Sequence, residues 1–250
     1  MKFNFKEALA FFQKDHLNEA KNLCVEALKE DPNNFDFLHL HGVISFREKD
    51  YKKSEQLISK AIKLKPNFEI YDFYAFILFN LGKFNLAIKS LDEVIRLKPD
   101  YVEAYNNRAN MLFKLGKVED SLKSYNAALK LNPYNSQAYN NLGILLGRLD
   151  KKNSALESYE KAIKIKPDYA EAHYNKGNLL FELEKIDKSL ESYDTAINLN
   201  PNYAEAYFNK GIVLLAANVN DEALENFKKV LNIKPEFENL PGTIIYTKLK

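Results

Sequence analysis

Hydrophobic positions along this chain recur at helical spacing and are punctuated at regular intervals. The stretch Val102–Pro133 reads VEAYNNRANMLFKLGKVEDSLKSYNAALKLNP. Counting Pro133 as place 32, Tyr105, Arg108, Ala109 and Leu112 occupy places 4, 7, 8 and 11, which is one face of a helix. Leu115-Gly116-Lys117 interrupts the pattern, and Gly116 can take the positive φ that a helix end favours. A second stripe follows in Leu122, Tyr125, Ala128 and Leu129. Proline lacks a donor N–H and disfavours helix in the residue before it, so the second helix is expected to stop near Asn132. The unit is a helical hairpin. It recurs: Pro32, Pro66, Pro99, Pro133, Pro167, Pro201 and Pro235 lie 34, 33, 34, 34, 34 and 34 residues apart, the mark of a solenoid.

Small residues return where the paired helices must approach. Place 8 is Gly42, Ala75, Ala109, Gly143, Gly177 and Gly211, and place 20 is Ala20, Ser54, Ala87, Ser121, Ala155, Ser189 and Ala223. Glycine inside a helix costs about 1 kcal/mol against alanine, so its return at one place argues for close backbone packing. Place 24 carries the bulky partner: Cys24, Ile58, Leu91, Tyr125, Tyr159, Tyr193 and Phe227.

Over residues 1–235 these places resemble the tetratricopeptide repeat (TPR) family. The resemblance implies an all-α fold, a right-handed superhelix (α-solenoid) of about seven helix-turn-helix repeats. Their limits would be 1–34, 35–68, 69–101, 102–135, 136–169, 170–203 and 204–235, with 236–250 beginning a further helix. It also implies a protein-binding inner groove. No domain boundary is expected inside such an array. At place 4, where the family usually has a large aromatic residue, the first unit has Asn4, which reads as a polar end cap.

Composition narrows the function. Hydrophobic residues make up 46%, enough for a continuous core, yet no apolar run is long enough to span a membrane. The net charge is +2, and only four of the 36 basic residues are arginine, which argues against nucleic acid as a partner. One cysteine, no secretory leader core and no Asn-x-Ser/Thr sequon predict a reducing, cytoplasmic setting; the abundance of Lys and Asn suggests an AT-rich bacterial genome. No phosphate loop, Cys-x-x-Cys, His-Glu-x-x-His or Gly-x-Ser-x-Gly occurs, so neither an enzyme nor a cofactor or metal site is expected. Cys24 reads as a core thiol, His39 and His41 point to different helix faces, and His173 takes the packing place 4.

Candidate binding residues come from places 5, 6, 9 and 12, and the family resemblance implies that places 6, 9 and 12 face inward. In the third unit Phe73, Phe76 and Phe79 take places 6, 9 and 12. Exposed, they would anchor a partner; rotated by the one-residue-shorter turn at Pro66-Asn67-Phe68, they would be buried. From the fourth to the seventh unit place 6 is Asn107, Asn141, Asn175 and Asn209, joined by Asn106 and Asn140 at place 5 and by Asn110 and Asn178 at place 9. Side-chain amides can bond both the N–H and the C=O of an extended peptide without reading its side chains. The alternative is that they bond neighbouring backbone.

Other readings remain beside this scaffold. The segment EFENLPGTIIYTKLK resembles the junction in bacterial O-GlcNAc-transferase-like proteins through Leu240, Gly242 and Lys248, which implies an acceptor-binding TPR arm of a glycosyltransferase. Self-association into a homodimer, through the aromatic third unit or the unfinished C-terminal helix, is a third. The carboxylate clamp of TPR co-chaperones is missing, because it would need Lys at Asn106 and Glu171 and Arg at Asn175. A peptide with a free C-terminal carboxylate is therefore expected to bind no better than its amidated form in a titration; a tenfold preference for the acid, roughly 1.4 kcal/mol, would contradict this reading.

Overall fold

The computed structural model describes residues 4–236. Fourteen α-helices occur among them: α1 (Phe5–Gln13), α2 (Leu17–Glu30), α3 (Phe35–Arg47), α4 (Tyr51–Leu64), α5 (Phe68–Asn80), α6 (Phe84–Leu97), α7 (Val102–Lys114), α8 (Val118–Leu131), α9 (Ser136–Arg148), α10 (Lys152–Ile165), α11 (Ala170–Glu182), α12 (Ile186–Leu199), α13 (Ala204–Ala216) and α14 (Asn220–Ile233). Each odd-numbered helix packs antiparallel on the even-numbered one that follows, giving an all-α stack of hairpins. By internal contacts the chain falls into two compact units, which meet in sequence at Leu131/Asn132. The residues carrying the glycosyltransferase-junction resemblance, 237–250, lie outside the described ones. No helix among the described residues is long and apolar enough to cross a membrane.

Local chemistry sets the helix ends. Asn34, Asn67 and Asn135 cap α3, α5 and α9, each side-chain oxygen accepting a backbone N–H of the first turn, from Phe37, Ile70 and Ala138. Asn4 plays the same role for α1 by accepting from Lys6, so α1 opens four residues later in its unit than its counterparts. The even-numbered helices α4, α6, α10 and α14 end on Lys65, Lys98, Lys166 and Lys234, each just before a proline and each with extended φ between −131° and −146°. Inside every hairpin one turn residue adopts positive φ. Gly82 and Gly116 do so at +70° and +71°, while Asp15, Lys49, Asp150, Glu184 and Asn218 take the same conformation at 57–64° despite having side chains. The residue after it donates back across the turn, as from Lys117 N to Leu112 O at 2.9 Å.

The hairpins close through a socket. A Cβ added at Gly143 would lie 2.6 Å from Tyr159 Cε1, at Gly177 2.9 Å from Tyr193 Cε1, and at Gly211 2.7 Å from Phe227 Cε1. The ring at place 24 therefore rests directly on the backbone at place 8. Serine at place 20 adds a bond absent from the sequence reading: Ser54, Ser121 and Ser189 donate to the carbonyls of Gly42, Ala109 and Gly177 at 2.7–2.8 Å. Cys24 fills the same socket in the first hairpin, and burial pushes its thiol pKa up to about 12, so it is an unreactive core group.

Within each unit successive hairpins stack mainly through the second helix of one against the first helix of the next, as α4 against α5 and α10 against α11. In the second unit α9 touches α11 and α11 touches α13 more closely than the second helices approach one another, so within that unit the faces of α9, α11 and α13 line the inner side. His173 Nε2 meets the Pro167 carbonyl at 2.9 Å, as the Tyr105 hydroxyl meets that of Pro99 at 3.0 Å.

Gly177→Leu drives a side chain into the Tyr193 ring. The chemical-denaturation midpoint should fall by an amount equivalent to about 1–3 kcal/mol or more; an unchanged midpoint would refute the socket. His41 gives a second test. It is 5% exposed and its Nδ1 has no partner; burial, then Lys53 and Lys21, lower its pKa below 6.5, with Glu48 opposing. The unfolded chain then binds the proton more readily, so stability is lost as pH falls below about 6.5. Denaturation of His41→Leu between about pH 7 and about pH 5.5 should show a shallower pH slope than the natural chain, and equal slopes would remove His41 as the cause.

Candidate peptide-binding face

In the second unit the inner amides are tied to the preceding repeat. Asn175 Nδ2 on α11 donates to Asn140 Oδ1 on α9 at 3.0 Å, and Asn140 Nδ2 donates to Glu171 Oε1 at 3.2 Å. One repeat on, Asn209 Nδ2 on α13 donates both to Asn178 Oδ1 at 2.8 Å and to the Tyr174 hydroxyl at 3.0 Å. The Tyr193 hydroxyl donates to the same Asn178 oxygen at 2.7 Å. These bonds fix the amide orientations: the Nδ2 groups of Asn175 and Asn209 are engaged, and their Oδ1 atoms have no partner among the described residues. Both side chains are half-buried, as is Asn141 on α9. The neighbours bonded here are side chains of the adjacent repeat, not the backbone that the alternative reading expected.

Places 5 and 6 behave differently. Asn106 is 4% exposed and Asn140 fully buried, so neither offers a surface to a peptide, and the sequence-based amide set narrows by two. Place 5 instead latches repeats together. Asn140 bonds Asn175 and Glu171, the Tyr101 hydroxyl donates to Asp72 Oδ2 at 3.3 Å, and Tyr174 packs on Tyr203 with centroids 5.0 Å apart. Burial raises the Asp72 pKa and the Tyr101 bond opposes it. Asn106 Oδ1 lacks such a partner.

In the first unit Asn107 and Asn110 stand half-buried on α7, and Tyr125 donates its hydroxyl to Asn110 Oδ1. The tyrosine at place 24 is thus both a packing ring and the donor that orients an asparagine at place 9, in the pairs Tyr125–Asn110 and Tyr193–Asn178. The co-occurrence of the two residues was visible in the sequence; the bond was not. Burial raises the pKa of both hydroxyls, which stay protonated donors.

The aromatic row splits. Phe76 is 53% exposed, while Phe73 and Phe79 are half-buried. Phe73 meets Phe46 of α3 edge-on at 5.4 Å, and Phe46 also meets Phe76 at 5.2 Å. Phe79 meets Phe84 at 5.7 Å with Lys114 Nζ 5.6 Å above its ring. Sequence reasoning missed Phe46, which lies at place 12 of the preceding repeat and completes the patch. His39 is held between Phe35 and Phe73 at 5.9 and 6.4 Å, and no cluster of metal-ligating side chains occurs among the described residues.

Comparisons with known proteins agree with this architecture. A family model described as "TPR repeat" matches residues 77–116, 109–150, 151–183 and 177–218, and one described as "Tetratricopeptide repeat" matches 35–68 and 204–237. No curated protein matches the sequence significantly. Among solved structures, that of MamA shares 26% identity over 63% of this chain and 92% of its own, with a TM-score of 0.57. YrrB, described as a TPR protein with an unusual peptide-binding site, shares 22% over 72% and 93%, with a TM-score of 0.55. A tetratricopeptide repeat protein from Parabacteroides merdae shares 17% over 97% and 94%, with a TM-score of 0.76. With its hairpin sockets, its period and family matches over more than half its length, the chain belongs to the tetratricopeptide repeat family.

Proposed function

We propose that this TPR scaffold, a protein–protein interaction module, holds extended segments of partner proteins against the inner faces of its first helices. The observation that carries this reading is the pinned orientation of Asn175 and Asn209. An amide that must reorient to bind loses some of the gain to ordering, whereas one already held by its Nδ2 offers its oxygen at no such cost. The free oxygens accept, so their complement on the partner is a backbone N–H. Recognition of main chain without side chain makes the scaffold broad in what it takes, and in the first unit Phe73, Phe76 and Phe79 on α5 supply an apolar anchor. Asn107, Asn110, Asn141 and Asn178 extend the amide surface, Asn110 and Asn178 as the residues oriented by tyrosine.

A random dodecapeptide display library selected on the full chain supplies ligands. Methylating the backbone nitrogens of a selected peptide one at a time should weaken binding at specific positions by roughly two- to twelvefold, the worth of one hydrogen bond. In Asn175→Ala or Asn209→Ala that sensitivity should vanish at one position, while thermal unfolding shows at most a loss of about 0.5–1.5 kcal/mol from the severed bond to the preceding repeat. Selected peptides indifferent to methylation throughout would refute main-chain recognition.

A further inference from the structure

Two of the place-12 phenylalanines in the first unit, Phe12 and Phe79, each lie under a cation from the next hairpin. Arg47 at place 13 of the second hairpin lies 5.2 Å above the ring of Phe12, steadied by Asp15 Oδ1 at 2.9 Å. Lys114, at place 13 of the fourth hairpin, lies 5.6 Å above Phe79. The corresponding pair between them is Phe46 with Asn80. Asn80 carries no charge, and its Nδ2 folds back to the Phe76 carbonyl at 2.8 Å. No cation of the described residues is placed over Phe46 or Phe76, and Phe76 keeps half its surface open to solvent.

The face that carries the cluster also bears a carboxylate. Glu69, Phe73, Phe76 and Asn80 follow one another on α5 at intervals of four, three and four residues and so share a face. Glu69 stands about 10 Å along the helix from Phe76, at 1.5 Å per residue. It is exposed and has no ion pair among the described residues, and the same holds for Asp36 and Glu103 at the equivalent place of α3 and α7. Lys65 and Lys98 lie over Phe35 and Phe68, the rings next to Asp36 and Glu69 in the chain, so the pull on a cation comes from the bare rings of Phe46 and Phe76 themselves, through their quadrupole.

We propose that the cluster of Phe46, Phe73 and Phe76 is a subsite for a lysine or arginine side chain of the bound segment, which supplies the cation that Asn80 does not. This rests on the peptide-binding reading above and adds a specificity to it within the first unit: tolerant where Asn107 and Asn110 meet main chain, selective for one basic residue at the third repeat. The chain itself provides the precedent twice, with Arg47 on Phe12 and Lys114 on Phe79.

The test uses the full chain and dodecapeptides selected on it from a random display library. Selected sequences should carry lysine or arginine at one fixed position. Replacing that residue by neutral norleucine should weaken binding roughly two- to fivefold, the range of an exposed cation–π contact. Asn80→Lys, which fills the gap with the chain's own cation, should abolish the difference between the two peptides while still binding both. Phe76→Ala should abolish it as well, and a circular-dichroism melt checks that each variant is folded. Equal binding of the lysine and norleucine peptides to the natural chain would overturn the subsite and leave main-chain recognition standing, since the N-methyl scan reads that independently. A library that yields no binder would overturn both.

Discussion

The contact on which everything else depends is a ring laid on bare backbone. At Gly143, Gly177 and Gly211 even one added carbon would sit within 3 Å of a tyrosine or phenylalanine from the partner helix. Close approach of this kind gives each ring many short dispersion contacts and removes both surfaces from water. It also sets the distance between the two helices of a hairpin, and hence how the next hairpin can stack. The glycines lose helix propensity in isolation and regain it in packing, which is why they recur at one place and nowhere else inside the helices with such regularity.

Once the ring is fixed, its polar end becomes useful. The hydroxyls of Tyr125 and Tyr193 emerge beside Asn110 and Asn178, and Asn178 in turn receives Asn209 from the next repeat. Core packing and the candidate binding face are therefore one network, running from a buried socket through a tyrosine to an amide. The interior determines which atoms the inner face presents, and a substitution at place 24 would be felt on that face without touching it.

Much of this was legible in the sequence because it repeats. A 34-residue period, a proline stop and a small residue opposed by a large one are signals that depend on spacing alone, and the hairpins, the αL turn at Gly116 and the inert role of Cys24 followed from them. What spacing does not reveal is which of two adjacent polar positions turns inward. Asn106 and Asn107 are neighbours of the same type, yet one is buried and the other half-open, a difference of about 100° around the helix. Likewise Phe46 belongs to the aromatic cluster through contact with the next repeat, a relation that no single unit displays. The turn after Pro133 places Tyr134 one position earlier than Tyr101, Tyr169 and Tyr203 stand in theirs, and leaves it 79% exposed, an exposure that spacing does not reveal either.

The serines at place 20 alternate with alanines from hairpin to hairpin: Ala20, Ser54, Ala87, Ser121, Ala155, Ser189, Ala223. Every second hairpin thus carries a buried hydroxyl bond from place 20 to the carbonyl at place 8, and the third, with Ala87 there, instead has Ser90 of α6 donating to the Tyr71 carbonyl of α5 at 2.8 Å. The array is chemically a 68-residue cycle under a 34-residue architecture. Breathing motions that separate the helices must break such a link in the second, third, fourth and sixth hairpins, so amide-exchange protection should be higher there than in the first, fifth and seventh, where no serine bonds across the pair.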